Sequence, residues 1–424
     1  MRKNVHEIYT KILKEELLDA TGCTEPIALA LASAKAKKVL EDIPDQIKVF
    51  VSDNIIKNAK SVIVPNTKDL KGIKASVAAG IIAGDSDQIL GVISTVSNAK
   101  IDAIHAYLKT VNITVEPIQS EYIFDIQIEV YKNNHCAKVR MINHHTNIVY
   151  IKKNDDVLLA KDYVKEKAVE DDLKKSLTVK DIVDYANTVD LKEIKPLILK
   201  QISNNLAISE EGLTHKYGAN IGKVLLKKTP NHLPTTAKAK AAAASDARMA
   251  GCKLPVTIVS GSGNQGITAS LPVITYAQAL KVSEEKLIRA LLVSNLVTIH
   301  QKTGVGPLSA YCGAVFAGAG SGAGIAYLHD GTFEDIAHTI VNALAIVSGV
   351  ICDGAKASCA AKIATSVDAG ILGFQMYQEG QQFYGGDGII AKGIENTIHN
   401  VTRLAREGMR ITDKEIVKIM TEMP

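Results

Sequence analysis

Three cysteines in the C-terminal third of the chain could hold an inorganic centre. Cys352 and Cys359 stand seven residues apart in Ile351-Cys352-Asp353-Gly354-Ala355-Lys356-Ala357-Ser358-Cys359. On a straight helix that spacing is two turns along one face, a rise of roughly 10.5 Å. Two thiolates could converge on a multi-iron cubane over that distance, but not readily on one zinc ion. Gly354 could break the helix and bring them closer. Cys312 lies forty residues upstream, in Ser309-Ala310-Tyr311-Cys312-Gly313, and must come from another element. The pattern is neither a zinc ribbon nor a ferredoxin run. On spacing alone, buried cysteines in an Ala- and Gly-rich core are the stronger reading. Three ligands rather than four would nevertheless leave one iron open as a Lewis acid.

A fourth cysteine, Cys23, stands in Thr21-Gly22-Cys23-Thr24-Glu25-Pro26. Pro26 suits a first helical turn, so Cys23 is expected at a helix N-terminus. Oriented amides there favour a thiolate, with pKa values lowered to roughly 3.5–7.5. Such a group could serve as a base; a packed residue at a helix start fits the pattern equally well. The string Gly261-Ser262-Gly263-Asn264-Gln265-Gly266 matches a dinucleotide fingerprint, and Glu284 and Glu285 lie near the place of a ribose-binding acid. Pro272 inside the following helix, and the lack of second and third parallel strands, argue against a nicotinamide site. The loop's amides and the side chains of Ser262, Asn264 and Gln265 are read instead as holding a substrate carboxylate or lining a cluster pocket. A plain tight turn is the alternative.

The elements that must position these residues fall into two parts. Residues 6–20 read as an amphipathic helix with Ile8, Ile12, Leu13 and Leu17 on one side, ended by Gly22. A second helix follows Pro26 through Leu40, residues 47–52 alternate like a strand, and 72–108 read as helical. Strict alternation over Asp125–Val130, the Asn133-Asn134 turn signal, alternation at Ala137, Val139 and Met141, and a run at 148–151 predict antiparallel hairpins. From 161 onward the pattern is helical: a charged amphipathic pair over 161–200, then segments so rich in Ala, Gly, Ile, Val and Leu that they must be buried all round. The expected fold is α+β, an N-terminal α+β domain (1–160) with antiparallel strands against a larger all-α domain (161–424), the site between them.

Composition narrows the function classes. Hydrophobic residues make up 46% and charged residues 22% of 424, ordinary for a globular enzyme. A net charge of +4, interspersed, with 4% aromatics and no Trp, gives no basis for nucleic-acid binding. The opening Met-Arg-Lys-Asn-Val-His-Glu has no apolar run behind it, so a secretory signal is not expected and a cytoplasmic location is. Residues 303–328 carry no charge, yet their Gly, Ser and Pro307 point to a packed buried helix rather than a membrane span. Six cysteines are too few for a disulfide scaffold.

Four strings, Thr21-Gly22-Cys23-Thr24-Glu25-Pro26, Ser245-Asp246-Ala247-Arg248-Met249, Gly261-Ser262-Gly263-Asn264-Gln265-Gly266 and Ile351-Cys352-Asp353-Gly354-Ala355-Lys356, resemble the L-cysteine desulfidase family, a branch of the iron–sulfur serine dehydratases. The resemblance spans essentially the whole chain. It implies that Cys312, Cys352 and Cys359 ligate a [4Fe–4S] cluster with one iron not held by cysteine, and that Cys23 is the catalytic base. It implies conversion of L-cysteine to pyruvate, ammonia and sulfide without pyridoxal phosphate. The C-terminal part is similar to the serine dehydratase alpha domain, and the N-terminal block looks like a diverged beta domain. Ala357 stands where many relatives carry Pro, which bears on backbone stiffness and not on ligation.

With that resemblance, Thr24, Glu25, Asn54, Asn58, Thr67, His145, Ser262, Asn264, Gln265 and Lys302 form the expected substrate-binding set. Asn54, Lys57 and Asn58 follow a strand, where loops carry binding groups. His145 is placed at the domain interface, and Lys302 pairs with a carboxylate or offsets cluster charge. Asp246 and Arg248, two apart in an Ala-rich helix, do not face each other and are read as structural. Cys136 and Cys252 are read as incidental. A homodimer is one compatible assembly. Two other functions stay open: the same elimination on L-serine, with hydroxide leaving, and a non-catalytic iron–sulfur redox or iron sensor.

Overall fold

The structure, a computed structural model, describes residues 2–120, 122, 124–161, 173–305 and 309–422. Its chain is α+β, as the sequence predicts. A six-stranded sheet has the order β3-β2-β4-β5-β6-β7. Its strands are β2 (Gln46–Val51), β3 (Asn112–Pro117), β4 (Asp125–Lys132), β5 (His135–Ile142), β6 (Ile148–Lys153) and β7 (Asp156–Ala160). Alternation fixes the buried face: Ile47, Val49 and Val51 of β2 lie beside Ile126, Ile128 and Val130 of β4 and Ala137, Val139 and Met141 of β5. Helix α2 (Thr24–Leu40) covers that face, and α4 (Gly72–Ala83) packs against α2. Those two helices approach closely because Gly80 has no Cβ; one there would stand 2.2 Å from the Ala30 carbonyl oxygen.

The hairpins over β4, β5 and β6 are antiparallel, but β3 pairs with β2 in parallel. A parallel neighbour needs a crossover, supplied here by α3 (Asp53–Ala59), α4 and α5 (Asn98–Thr110). The helical run expected over 72–108 is therefore interrupted, with a 3₁₀ turn at Ser86–Gly91 between α4 and α5.

The second part is helical apart from β8 (Pro255–Thr257). In order it holds α6 (Val179–Thr188), α7 (Lys195–Thr214), α8 (Ile221–Lys228), α9 (Leu233–Met249), α10 (Gly263–Leu280), α11 (Glu284–Thr303), α12 (Gly313–Leu328), α13 (Phe333–Ile346), α14 (Cys359–Gln378), α15 (Ile394–Arg403) and α16 (Arg410–Glu422). Helix α12 runs through the middle, buried on all sides and packed on α10, α11, α13 and α14. Its glycines set those distances: a Cβ on Gly318 would stand 2.2 Å from the Ser366 carbonyl oxygen. The uncharged stretch that includes α12 is thus a core helix, and among the described residues no helix is long and apolar enough to cross a membrane. Part of the charged pair expected over 161–200 lies outside the described residues.

The first helix packs into the core of the second part, although it precedes the boundary expected at residue 160. Helix α1 (Arg2–Glu16) buries Tyr9, Ile12 and Leu13, with Leu17 after it, in the helical core beside Val179, Ile182 and Tyr185. The helix stops at Glu16, short of the predicted residue 20. There β1 (Asp19–Thr21) leaves to pair antiparallel with β8. The chain then turns at Gly22, at φ 67°, back to the sheet-bearing part. The two cores are tied together just where Cys23 follows.

Candidate active site

Cys312, Cys352 and Cys359 come from two loops and one helix start. Cys312 is the N-cap of α12, and Cys359 opens α14. The two loops are clamped by backbone bonds: Cys312 N–H to the Val350 carbonyl at 3.0 Å and Cys352 N–H to the Ala310 carbonyl at 2.6 Å, with Tyr311 bridging Ile351. This small ladder sets the Cys312 and Cys352 thiols side by side, sharing a hydrogen bond. No helix spans Cys352 to Cys359, as the straight-helix spacing would have it: the chain between them is a loop that turns at Gly354, at φ 93°, and the Cys359 thiol lies 3.7 Å from the Gly354 carbonyl oxygen.

The three thiols do not carry equal charge. Cys312 donates to Cys352 and is pushed up by that bond and by burial. Cys352 is drawn down to about 5 by the same bond, against the cost of burial, with Lys57, the Gly354 amide and Lys362 assisting. Cys359 is raised by burial and by the neighbouring Cys352. Lysines surround the set. Lys362 reaches the Ile351 carbonyl at 2.6 Å and Asp353 Oδ1 at 2.5 Å. Lys57, 1% exposed, pairs with Asp413 of α16 and lies 3.4 Å from the Ser309 carbonyl. Lys302 is buried, and burial lowers its ammonium to about 8 although Cys352 and Cys312 hold it up. Among the described residues no three His, Cys, Asp or Glu side chains gather closely enough to hold one metal ion. A donor set of thiols alone, ringed by cations, suits a larger and more anionic group, such as a cluster with separate iron corners.

Cys23 is the N-cap of α2, and the expectation of a thiolate there is corrected. The thiol is 5% exposed and donates to Glu25 Oε2 at 3.0 Å. Burial and the Glu25 charge push it well above its ordinary value, outweighing Arg248 and the Glu25 amide. Amides at a helix start favour a thiolate only where no carboxylate competes. Thr24 Oγ1 donates to the same carboxylate oxygen at 3.3 Å, and Asn58 Nδ2 to the other at 3.4 Å. His145, in the β5–β6 turn, sets its ring edge on Phe124 at 4.7 Å, feels the Glu25 charge, and has a buried Nε2 without a partner.

Two connectors join Cys23 to the cysteine trio. On α3, Asn58 binds Glu25 while adjacent Lys57 lies among the cysteines. At the start of α10, Asn264 Oδ1 accepts from Ser245 Oγ at 3.2 Å and Arg248 Nη1 at 3.3 Å. Arg248 Nη2 reaches the Gly22 carbonyl at 3.0 Å. Adjacent Gln265 lies against Gly313, where a Cβ would stand 2.7 Å from its amide carbon. Ser262 caps its own helix by accepting from the Gln265 amide at 3.4 Å.

Other expected residues sit around these. Asn54 has a buried Oδ1 without a partner. Thr67 gives its hydroxyl to the Val64 carbonyl at 2.7 Å, in the turn whose Pro65 ring supports Gly22. Asp246 accepts the Gly222 amide at 3.2 Å, and burial lifts its carboxyl to about 6 against that bond. Sequence reasoning missed Asp413 and Lys362, and named Arg248 only as structural. Arg248 alone left a signal, as a charge in an otherwise Ala-rich, fully buried helix face.

The molecule is therefore an α+β protein with a thiol-rich, lysine-ringed centre on its helical part, joined to the sheet-bearing part beside a buried cysteine. It belongs to the serine dehydratase alpha chain family, whose model matches residues 130–418, from within β4 nearly to the C-terminus. The relation to iron–sulfur serine dehydratases implied by the motifs is thereby shown. The chain is similar to the UPF0597 protein of Desulfitobacterium hafniense, 56% identical over 98% of this chain and 96% of that protein. It is also similar to UPF0597 proteins of Lachnoclostridium phytofermentans (48%, over 96% and 98%) and Treponema denticola (45%, over 99% and 98%).

Proposed function

We propose that this protein is an iron–sulfur lyase that splits L-cysteine by β-elimination, giving pyruvate, ammonia and hydrogen sulfide. One observation carries the reading. The trio Cys312, Cys352 and Cys359 is joined through the neighbours Lys57 and Asn58 to Glu25 and Cys23, so a cluster-holding set and a proton-handling pair share one connector. Cys312, Cys352 and Cys359 would hold a [4Fe–4S] cluster, whose iron without a cysteine ligand supplies Lewis acidity toward the departing sulfur. Lys57, Lys302 and Lys362 offset its negative charge.

The protein's own groups handle the proton. Cys23 rests protonated, and its proton passes along the 3.0 Å bond to Glu25 Oε2. The freed thiolate takes the proton from the substrate Cα, the electron pair of that C–H bond forms the Cα–Cβ double bond, and the Cβ–S pair leaves on HS⁻, which takes the proton held by Glu25 and departs as hydrogen sulfide, returning Cys23 to the thiol and Glu25 to the carboxylate. Aminoacrylate leaves, tautomerises to an imine and is hydrolysed by one water to pyruvate and ammonia. Asn58 and Thr24 hold the carboxylate that receives the proton. Asn54, Gln265 and His145 bring unpartnered buried polar atoms, which a bound amino acid would satisfy.

The family's name favours a second substrate, L-serine, with the same proton path and hydroxide as leaving group. Anaerobic reconstitution with iron and sulfide, followed by parallel sulfide and pyruvate assays on L-cysteine and L-serine, separates the two. Pyruvate with equimolar sulfide from L-cysteine is the expected result. Pyruvate from L-serine alone overturns the choice of substrate, and no turnover of either overturns the lyase reading in favour of a cluster-holding sensor.

A further inference from the structure

We propose that Arg248 is the anchor for the carboxylate of the amino-acid substrate, an assignment that rests on the lyase reading above. The guanidinium sits in an unusual setting. Arg248 is 7% exposed, in a stretch of α9 whose neighbours Ala243, Ala244 and Ala247 are fully buried. A buried guanidinium ordinarily faces a carboxylate, because an unpaired charge out of water is costly. Among the described residues none stands within ion-pair distance of it. Its partners are two neutral oxygens, the Gly22 carbonyl at 3.0 Å and Asn264 Oδ1 at 3.3 Å. A guanidinium has five N–H groups, and these bonds use two. Of the remainder, Nε is buried without a partner.

The surroundings are shaped around this group. Gly263 leaves it room, since a Cβ there would stand 2.3 Å from Arg248 Nε. Asn264 is held by Ser245 as well, so the fork cannot swing freely. The carbonyl it grips belongs to Gly22, next to Cys23, and its charge acts on the Cys23 thiol. Charged groups facing that thiol are Glu25 from its own helix and Arg248 from α9, with His145 facing Glu25 from the β5–β6 turn. Glu25 is committed to Cys23, Thr24 and Asn58. The missing anion therefore has to arrive from outside. An α-amino acid supplies one, and its Cα is a single bond from the carboxylate. Binding at Arg248 thus presents the Cα–H to the residue that must take the proton. Arginine suits the task through paired, parallel bonds to the two carboxylate oxygens, which a lysine cannot reproduce.

The test uses L-alanine, which keeps the amino acid frame but has no β-substituent to lose. Calorimetric titration of the cluster-loaded protein with L-alanine and with L-alaninamide, whose carboxylate is capped, is compared for wild type, R248K and R248Q. Circular dichroism and thermal midpoints check that the variants fold. Wild type is expected to bind L-alanine and to bind the amide about ten- to hundredfold more weakly. R248Q should lose L-alanine affinity by a similar factor and should no longer distinguish acid from amide; R248K should fall between. In turnover, KM for the amino acid should rise in R248K by a larger factor than kcat falls. Equal binding of acid and amide by wild type, or wild-type discrimination in folded R248Q, overturns the assignment while leaving the lyase reading intact. Carboxylate-dependent binding without turnover of either amino acid overturns the lyase reading and leaves the anion site standing.

Discussion

Cys23 and Cys312 occupy the same local position and meet different neighbours. Each is the N-cap of a buried helix, in extended backbone (φ −90° and −71°), with no cap hydrogen bond from its side chain. By helix position alone both should be thiolates. Both instead hold their protons. Cys23 gives its hydrogen bond to a carboxylate, and Cys312 gives its own to Cys352. The thiol that is drawn down, to about 5, is Cys352, which starts no helix but accepts a hydrogen bond and has Lys57 and Lys362 beside it. Specific donors and full charges at contact outweigh the partial charge of a helix end. One helix start thus faces a carboxylate, and the other belongs to a set of thiols with lysines beside it.

The comparison breaks most decisively if the two cysteines respond alike to removal. Cys312→Ala should abolish iron binding and turnover together. Cys23→Ala should keep wild-type iron content while activity falls about 10²–10⁴-fold, the range for loss of a positioned base. Iron counts beside sulfide release distinguish the two, and loss of iron in Cys23→Ala would merge the roles.

A smaller effect is expected at the seam between the two regions. Gly354 has φ 93°, and a Cβ there would lie 2.0 Å from the backbone oxygen of Lys57. Gly354→Ala should cost about 3 kcal/mol from strain and overpacking. Thermal or urea unfolding measures it, and wild-type stability would show that the trio does not depend on contact with α3.

The smallest change sharpens the proton assignment. Glu25→Gln removes the charge that raises Cys23, so the thiol should titrate at lower pH. In wild type the thiolate appears only as pH rises toward the raised value; in the variant it appears earlier. Alkylation of Cys23 across pH, followed by peptide mass spectrometry, reads this directly. An unchanged profile would mean that burial alone holds the proton.

Much of the fold was legible. Period-two alternation at Asp125–Val130 and at Ala137, Val139 and Met141 announced antiparallel strands, and the observed register keeps their apolar residues on one buried face, which a one-residue slip would expose. The parallel strand β3 was not legible, since Asn112–Pro117 is half-exposed at the sheet edge and carries no clean alternation. Helix α1 was found but assigned to the wrong core by order along the chain; its apolar stripe does not say what covers it. Among site residues, Cys23 announced a helix start, while the helix expected across Cys352–Cys359 proved to be a loop turned at Gly354. The pairing of Lys57 with Asp413, 356 residues apart, left no local trace.

The amino-acid sequence by itself determined which groups could do chemistry: a thiol at a helix start, a glycine that bends the chain between two further cysteines, and a buried-helix composition that must bring them inside. Tertiary structure alone decided which thiol keeps its proton and where Arg248 points. Protonation depends on burial and on the charges a few ångströms away, and those gather from near and far along the chain: Glu25 stands two residues from Cys23, whereas Arg248 at Gly22 and Lys57 beside Cys352 come from segments more than two hundred residues distant.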